Sequence, residues 1–303
     1  MAVGYFFEEI KSCEMCGDPV ANHKLLGQRL NRTQGLRPRR KSGISVSVRQ
    51  CRKCRLIYSS PQPIPFDIQD HYNVPPETYW QNAEYFQVNP SYFINQITTV
   101  KKLLPFKNGV TALDVGAGLG KCMIALENAG FDAYGFEPSN SFYERAIAKM
   151  NISPGKLKLG TIEDIYYPPN FFDFVTFGAV FEHLYHPGRC LEKAMQWLKP
   201  NGIIHIEVPS SRWLVSRLIN FYYRLTGTNY VTNLSPMHAP FHLYEFDLGS
   251  FQLLGEKIGF DIAEYKYDVC SIPNIPRIAH PLFRKYMEWT NTGMQLTVYL
   301  KRQ

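Results

Sequence analysis

Three groups of residues in this 303-residue chain carry chemistry in their types and spacing. Cys13 and Cys16, in CEMC, and Cys51 and Cys54, in CRKC, form two C-x2-C pairs with 34 residues between them. Four thiolates in two such knuckles suit tetrahedral Zn²⁺, and iron fits the same sulfurs. Four Cys ligands leave no open position, so the ion reads as structural. Cys122, Cys190 and Cys270 are scattered and read as core or surface thiols.

The second group is LDVGAGLGKC (113–122), with Gly116, Gly118 and Gly120 after an apolar run. Glycines there let the backbone turn sharply and approach a ligand, and a helix N-terminus favours a carboxylate or phosphate. A dinucleotide loop prefers G-x-G-x-x-G, but here the last position is Lys121. Asp114, just before the glycines, suits a cationic ligand such as the ammonium of S-adenosylmethionine (SAM) and would repel a pyrophosphate. Glu137, in GFEPSN, can accept from ribose hydroxyls. A tight turn without a ligand and a solvated strand end are the competing readings. The third group is His183, His238 and His242, each a candidate base near neutral pH or a hydrogen-bonding residue of the packing.

These residues need a scaffold. VTALDV (110–115) reads as a buried strand and LGKCMIALENAG (119–130) as a helix stopped by glycine. DAYGFE (132–137), KLKLG (156–160), FFDFVTFG (171–178), GIIHIEVP (202–209), FDIAEYKY (260–267) and MQLTVYLKR (294–302) read as strands. SNSFYERAIAKM (139–150), PGRCLEKAMQWLKP (187–200) and LGSFQLLGEKIG (248–259) read as the helices between them. This alternation predicts an α/β fold with helices on both faces of a mainly parallel sheet.

The ordered segments LDVGAGLGKCMIALENAGFDAYGFEPS and GTIEDIYYPPNFFDFVTFGAVFEHLYHPGRCLEKAMQWLKPNGIIHIEVPS resemble the successive motifs of class I SAM-dependent methyltransferases. The resemblance runs over about residues 100–265 and includes FD-x-V, EH-x-x-x-P, L-K-P-x-G and an H-x-x-x-F stretch from His242 to Phe246. It implies a Rossmann-like sheet of seven strands, the last antiparallel. It implies that Asp114, Gly116, Ala117, Gly118 and Gly120 hold the methionine part of SAM and that Glu137 binds the ribose. Phe136 or Pro138 would lie against the adenine, with Thr161, Ile162 and Glu163 at its edge. Gly178 and Ala179 would border the transferred methyl. His242 becomes the first choice of base, ahead of His183 and His238. CRKCRLIYSSPQP is similar to the zinc-ribbon leader of some sugar and natural-product methyltransferases, with Arg55 where that pattern has Gly.

Organisation follows from these parts: a zinc ribbon over 1–60, a Pro-rich linker and an aromatic, partly helical segment over 61–100, and the methyltransferase domain over 101–303. Within it, 210–247 forms a lid insertion. Its start, RWLVSRLINFYYRLTG, is amphipathic at helical spacing, which suits a lid or contact with a lipid surface through 212–225. No apolar run approaches the ~20 residues that cross a bilayer, and MAVGYFFEEIKSC lacks a secretory pattern. A cytoplasmic enzyme is expected.

Net charge is +7, and residues 1–60 hold 12 Lys and Arg against 4 Asp and Glu. The basic front, with RLNRTQGLRPRRK (29–41), suits an anionic acceptor or RNA. Against RNA-base amines, the fourth strand ends in GAVFEH rather than [DNS]-P-P-[YFW]. The expected activity is methyl transfer to a hydroxyl or carbon of a small or carrier-linked sugar or natural product. An RNA-directed enzyme, a silent SAM-binding scaffold and a nicotinamide-dependent oxidoreductase are the alternatives.

Overall fold

The computed structural model of the protein describes residues 4–32, 43–67, 69–72, 77, 83–107 and 109–303. The Arg37, Arg39 and Arg40 cluster of the basic loop, and Tyr79 and Trp80 of the aromatic segment, lie outside the described residues.

The front of the chain contributes β1 (Tyr5–Glu8), β2 (Lys24–Leu30), β3 (Ser45–Gln50), β4 (Ile57–Ser60) and β5 (Gln62–Pro65). Next come helix α1 (Ile94–Leu103), β6 (Val110–Val115), α2 (Lys121–Asn128), β7 (Phe131–Glu137), α3 (Asn140–Met150), β8 (Leu157–Leu159) and β9 (Phe172–Gly178). They are followed by α4 (Pro187–Trp197), β10 (Leu198–Pro209), α5 (Leu214–Leu225), β11 (Tyr244–Glu245) and α6 (Leu248–Ile258). The chain closes with β12 (Phe260–Asp268), α7 (His280–Thr290) and β13 (Gln295–Arg302).

Seven strands form the main sheet in the order β12-β13-β10-β9-β6-β7-β8. Only β13 runs against its neighbours; it pairs antiparallel with both β10 and β12. Consecutive residues of each central strand point to opposite faces. Leu113, Val175 and Ile204 enter one core cluster, and Ala112, Phe174 and Ile203 enter the other. Burial on both faces is why these strands read as continuous apolar runs.

Helix starts follow local chemistry. The Ser139 hydroxyl accepts from Phe142 N and caps α3, and Pro187 occupies the first turn of α4. Asp247 caps α6 in a reciprocal pair with Ser250, and Gly259 ends that helix in the left-handed region. Helix α7, inserted between the last two strands, has no counterpart in the pattern read from sequence.

The second sheet is ordered β11-β4-β3-β2. β11 belongs to the 210–247 insertion, so strands from two distant parts of the chain complete one ribbon sheet. The insertion grips the ribbon again at β2, where Gln28 N donates to Asn229 O and Val231 N donates to Gln28 O. The four cysteines share one apolar cluster with Phe181, Leu191, Phe246 and Phe251 of the main domain. Among the described residues, no helix is long and apolar enough to cross a membrane.

Candidate active site and metal centre

The two cysteine knuckles close on each other. All four Sγ atoms lie within 4.8 Å of one another, with Cys13–Cys54 at 3.4 Å and Cys16–Cys51 at 3.5 Å. All four residues are buried and none forms a disulfide. Four converging sulfurs at this spacing fit one tetrahedral Zn²⁺. The two turns are built alike: Gly17 N donates to Cys13 O, and Arg55 N donates to Cys51 O. Gly17 and Arg55 both have positive φ, +74° and +65°. Arg55 therefore adopts the conformation that favours Gly, and its Nε lies 3.3 Å from Asp247 Oδ2. The second knuckle is tied to the main domain, since Ser250 Oγ donates to Cys54 O.

At the carboxyl ends of β6, β7 and β9 lies a cavity of ≈ 310 Å³. Its wall includes Gly116, Gly118, Phe136, Glu137, Pro138, Thr161, Ile162, Glu163 and Ala179, nine of the residues expected around SAM. Gly116 turns at φ +66°, and a Cβ there would stand 2.7 Å from Val180. Glu137 is buried, and its carboxylate accepts from Gly118 N and from Ser139 N, both at 2.8 Å. These two amides fix the carboxylate while each oxygen keeps a lone pair for a ribose hydroxyl. Thr161 Oγ1 donates to Asp164 Oδ2, so its oxygen can still accept.

Asp114, Ala117, Gly120 and Gly178 stand outside that wall. Asp114 is buried behind the glycine turn, where burial and then the Glu137 charge push its carboxyl up to about 8. Burial raises Glu137 to about 7. Two buried carboxyls with no countercharge among the described residues suit a cationic ligand that also offers hydroxyls, as SAM does. A Cβ on Gly120 would meet Ile152 at 2.6 Å, so this glycine serves packing of the loop.

A second cavity of ≈ 460 Å³ adjoins the first, and Ala179 lines both. Ala179 holds φ +55°, a left-handed conformation unfavourable for a residue with a Cβ. The second wall includes Glu182, His238, His242 and Glu245, with Arg29 from the ribbon. Arg29 Nε donates to Leu234 O at 2.9 Å, and its Nη2 lies 3.1 Å from His238 Nε2. A guanidinium can only donate, so His238 Nε2 accepts. Burial, and then the Arg29 charge, lowers His238 to about 4. Glu245 is buried and held by Asn233 Nδ2 and Leu234 N.

His183 and His242 stand with their rings 5.1 Å apart, edge to face. His183 lines the first cavity and His242 the second. The backbone of His242 is clamped by Ser235, whose Oγ accepts from His242 N and whose N donates to His242 O. Burial lowers His242 to about 4 and His183 to about 3 and raises the neighbouring Glu182 to about 8. Arg29 opens the basic stretch 29–41 and Glu245 falls inside the H-x-x-x-F stretch, but neither is singled out by the sequence. Glu182 stood in the quoted EH motif, which was the one visible cue to it.

Helix α5 forms where the amphipathic pattern predicts, but none of its residues lines either cavity. It braces the wall from behind: Asn220 Oδ1 accepts from Thr232 N, and Asn220 Nδ2 donates to Asn233 Oδ1.

Residues 92–265 match the profile of a methyltransferase domain. Two curated relatives are both named ubiquinone biosynthesis O-methyltransferase. The one from Bradyrhizobium diazoefficiens is 30% identical over 132 residues, 42% of this chain and 49% of the relative. The one from Rhodopseudomonas palustris is 28% identical over 139 residues, 45% of this chain and 52% of the relative. The chain thus spans about half the length of the curated relatives it matches. A solved SAM-dependent methyltransferase from Mesorhizobium loti superposes with a TM-score of 0.49 at 14% identity, covering 72% of this chain and 100% of that one. The domain match takes in the glycine turn, Glu137 and the β9 end, and the chain belongs to the methyltransferase-domain family as a class I SAM-dependent methyltransferase.

Proposed function

We propose that this enzyme transfers the methyl group of SAM to a hydroxyl oxygen of a small or carrier-linked acceptor of sugar or natural-product type. The observation that carries the reading is Ala179, which lines both cavities and so marks where a donor in one would meet an acceptor in the other. The names of the two curated relatives support oxygen as the methylated atom. When bound, SAM supplies an electrophilic methyl on a sulfonium, so the protein's work is alignment and exclusion of water.

In this reading Glu137 holds the ribose, Asp114 neutralises the ammonium, and Phe136 and Pro138 lie along the base, with Thr161, Ile162 and Glu163 at its edge. His242 and His238 face the acceptor, His242 being the first candidate to take the hydroxyl proton. Among the described residues, the second cavity carries Glu182, Glu207 and Glu245 against the guanidinium of Arg29. An anionic acceptor would therefore place its neutral, hydroxyl-bearing end inside and its charge outside, toward the basic ribbon.

A lipid carrier is supported by α5, where Leu218, Phe221 and Leu225 are exposed beside Arg217 and Arg224. RNA is the less favoured acceptor. The test is incubation with methyl-¹³C SAM and fractionated small-molecule, lipid-linked and RNA pools. Label on an oxygen of a small or carrier-linked product is expected. Label on RNA alone, or on no pool while S-adenosylhomocysteine still binds, would overturn the reading.

A further inference from the structure

We propose that Glu182, His183 and His242 form a second metal site, for a divalent first-row cation, at the boundary of the two cavities. This deepens the methyl-transfer reading and rests on it for its role, though not for its geometry. The Glu182 carboxylate and one ring nitrogen of each histidine lie within 4.8 Å of one another. Glu182 Oε1 is 3.6 Å from His242 Nε2 and 3.9 Å from His183 Nε2. Both gaps are too long for hydrogen bonds. They approach the donor–donor edges of about 3.0–3.4 Å around an ion with bonds of ~2.1 Å, and the third edge lies within 4.8 Å, so the side chains would have to close in to seat one.

Two further features favour an ion. Glu182 is buried, and its Oε2 has no hydrogen-bond partner. A buried carboxylate oxygen left in that state is costly unless a cation or water meets it. His183 is also oriented as a ligand. Its Nδ1 lies 3.2 Å from Phe241 O, and a carbonyl can only accept, so Nδ1 carries the proton and Nε2 keeps the lone pair. Metal-binding histidines are commonly held in this way by a second hydrogen bond. Backbone contacts fix the other two residues: Leu243 N donates to Glu182 O, and Ser235 clamps His242.

Two imidazoles and one carboxylate leave coordination positions open, unlike the four-cysteine site. Glu182 and His242 line the acceptor cavity and His183 the cofactor cavity, so an ion held by the three would lie between the two. An acceptor hydroxyl bound there would lose its proton more readily. With the ion in place His242 is a ligand rather than the base, so that proton leaves to solvent, an oxygen lone pair forms the O–CH₃ bond, and the C–S bond breaks with its electron pair staying on sulfur.

The test is metal binding to the full zinc-loaded chain, without SAM or acceptor, so that its failure leaves methyl transfer standing. Mn²⁺ is followed by electron paramagnetic resonance, and Fe²⁺ by anaerobic equilibrium dialysis. One ion per chain beyond the ribbon zinc is expected. His242→Asn and Glu182→Gln should each weaken binding at least tenfold, with zinc content unchanged. If one variant fails to fold, the other carries the test. Wild-type protein that binds neither ion, or folded variants that bind as well as wild type, would overturn the proposal.

Discussion

Arg29 of the ribbon reaches His238 of the insertion, guanidinium Nη2 to imidazole Nε2, at 3.1 Å. The contact joins two segments far apart in the chain and puts a ribbon side chain into the wall of the second cavity. Arg29→Lys keeps the charge but loses the fork that reaches Leu234 O and His238 together. The Michaelis constant for the acceptor should rise at least fivefold, while S-adenosylhomocysteine binding stays within twofold. A reversed pattern in paired kinetic and calorimetric assays would move Arg29 to the cofactor side.

Glu137 is predicted to be the largest single contributor to cofactor affinity. Glu137→Ala removes the proposed ribose acceptor and also leaves the Gly118 and Ser139 amides without their shared partner. A loss of about 2–3 kcal/mol, or roughly 30- to 150-fold in S-adenosylhomocysteine affinity, is expected by isothermal titration calorimetry.

Asp114 and Glu137 should make cofactor binding pH-dependent. Their folded-state values, about 8 and about 7, lie above the ordinary carboxyl range. In the ligand-free chain this contributes stability that is fully present below the ordinary carboxyl range and gone once the pH has risen through about 8. A cationic ligand favours the ionised form, so binding at pH 7 should release protons. Calorimetry in buffers of different ionisation heat should register this release, and Asp114→Asn should reduce it. Equal proton release in both proteins would remove Asp114 from that role.

The four-cysteine site should hold one zinc per chain. Cys51→Ser should lower zinc content by elemental analysis and melting temperature by several degrees, because the knuckles share an apolar cluster with the main domain. Zinc loss with an unchanged melting curve would show that the ion is dispensable for the fold.

The exposed face of α5 predicts binding to vesicles containing anionic lipid. Leu218→Ser together with Phe221→Ser should weaken it at least threefold in sedimentation assays. Equal sedimentation of wild type and variant would place any lipid contact elsewhere.

Much of this was legible before any coordinates. Leu113 and Val115 alternate with Ala112 inside a strand buried on both faces, and that run, followed by three glycines, marked β6 and its turn. The four cysteines were legible because metal ligands need fixed spacings. The acceptor wall was not. Arg29 lies among several basic residues, and no period marks the one that turns inward. Glu245 sits on a two-residue strand that pairs with β4, a contact between distant segments that no local pattern encodes. Helix α5 follows its amphipathic spacing, but its place behind the cavity wall depends on Asn220 and its hydrogen bonds to 232–233.

The pairing of β11 with β4 has a consequence for engineering acceptor preference. The wall is a composite, with one panel from the front of the chain and another from the insertion, stitched by backbone hydrogen bonds. A chimaera that takes only the leader from a relative would meet a mismatched seam. Grafts that move 1–60 and 210–247 together carry the seam intact, and those are the exchanges through which a new specificity can be transplanted.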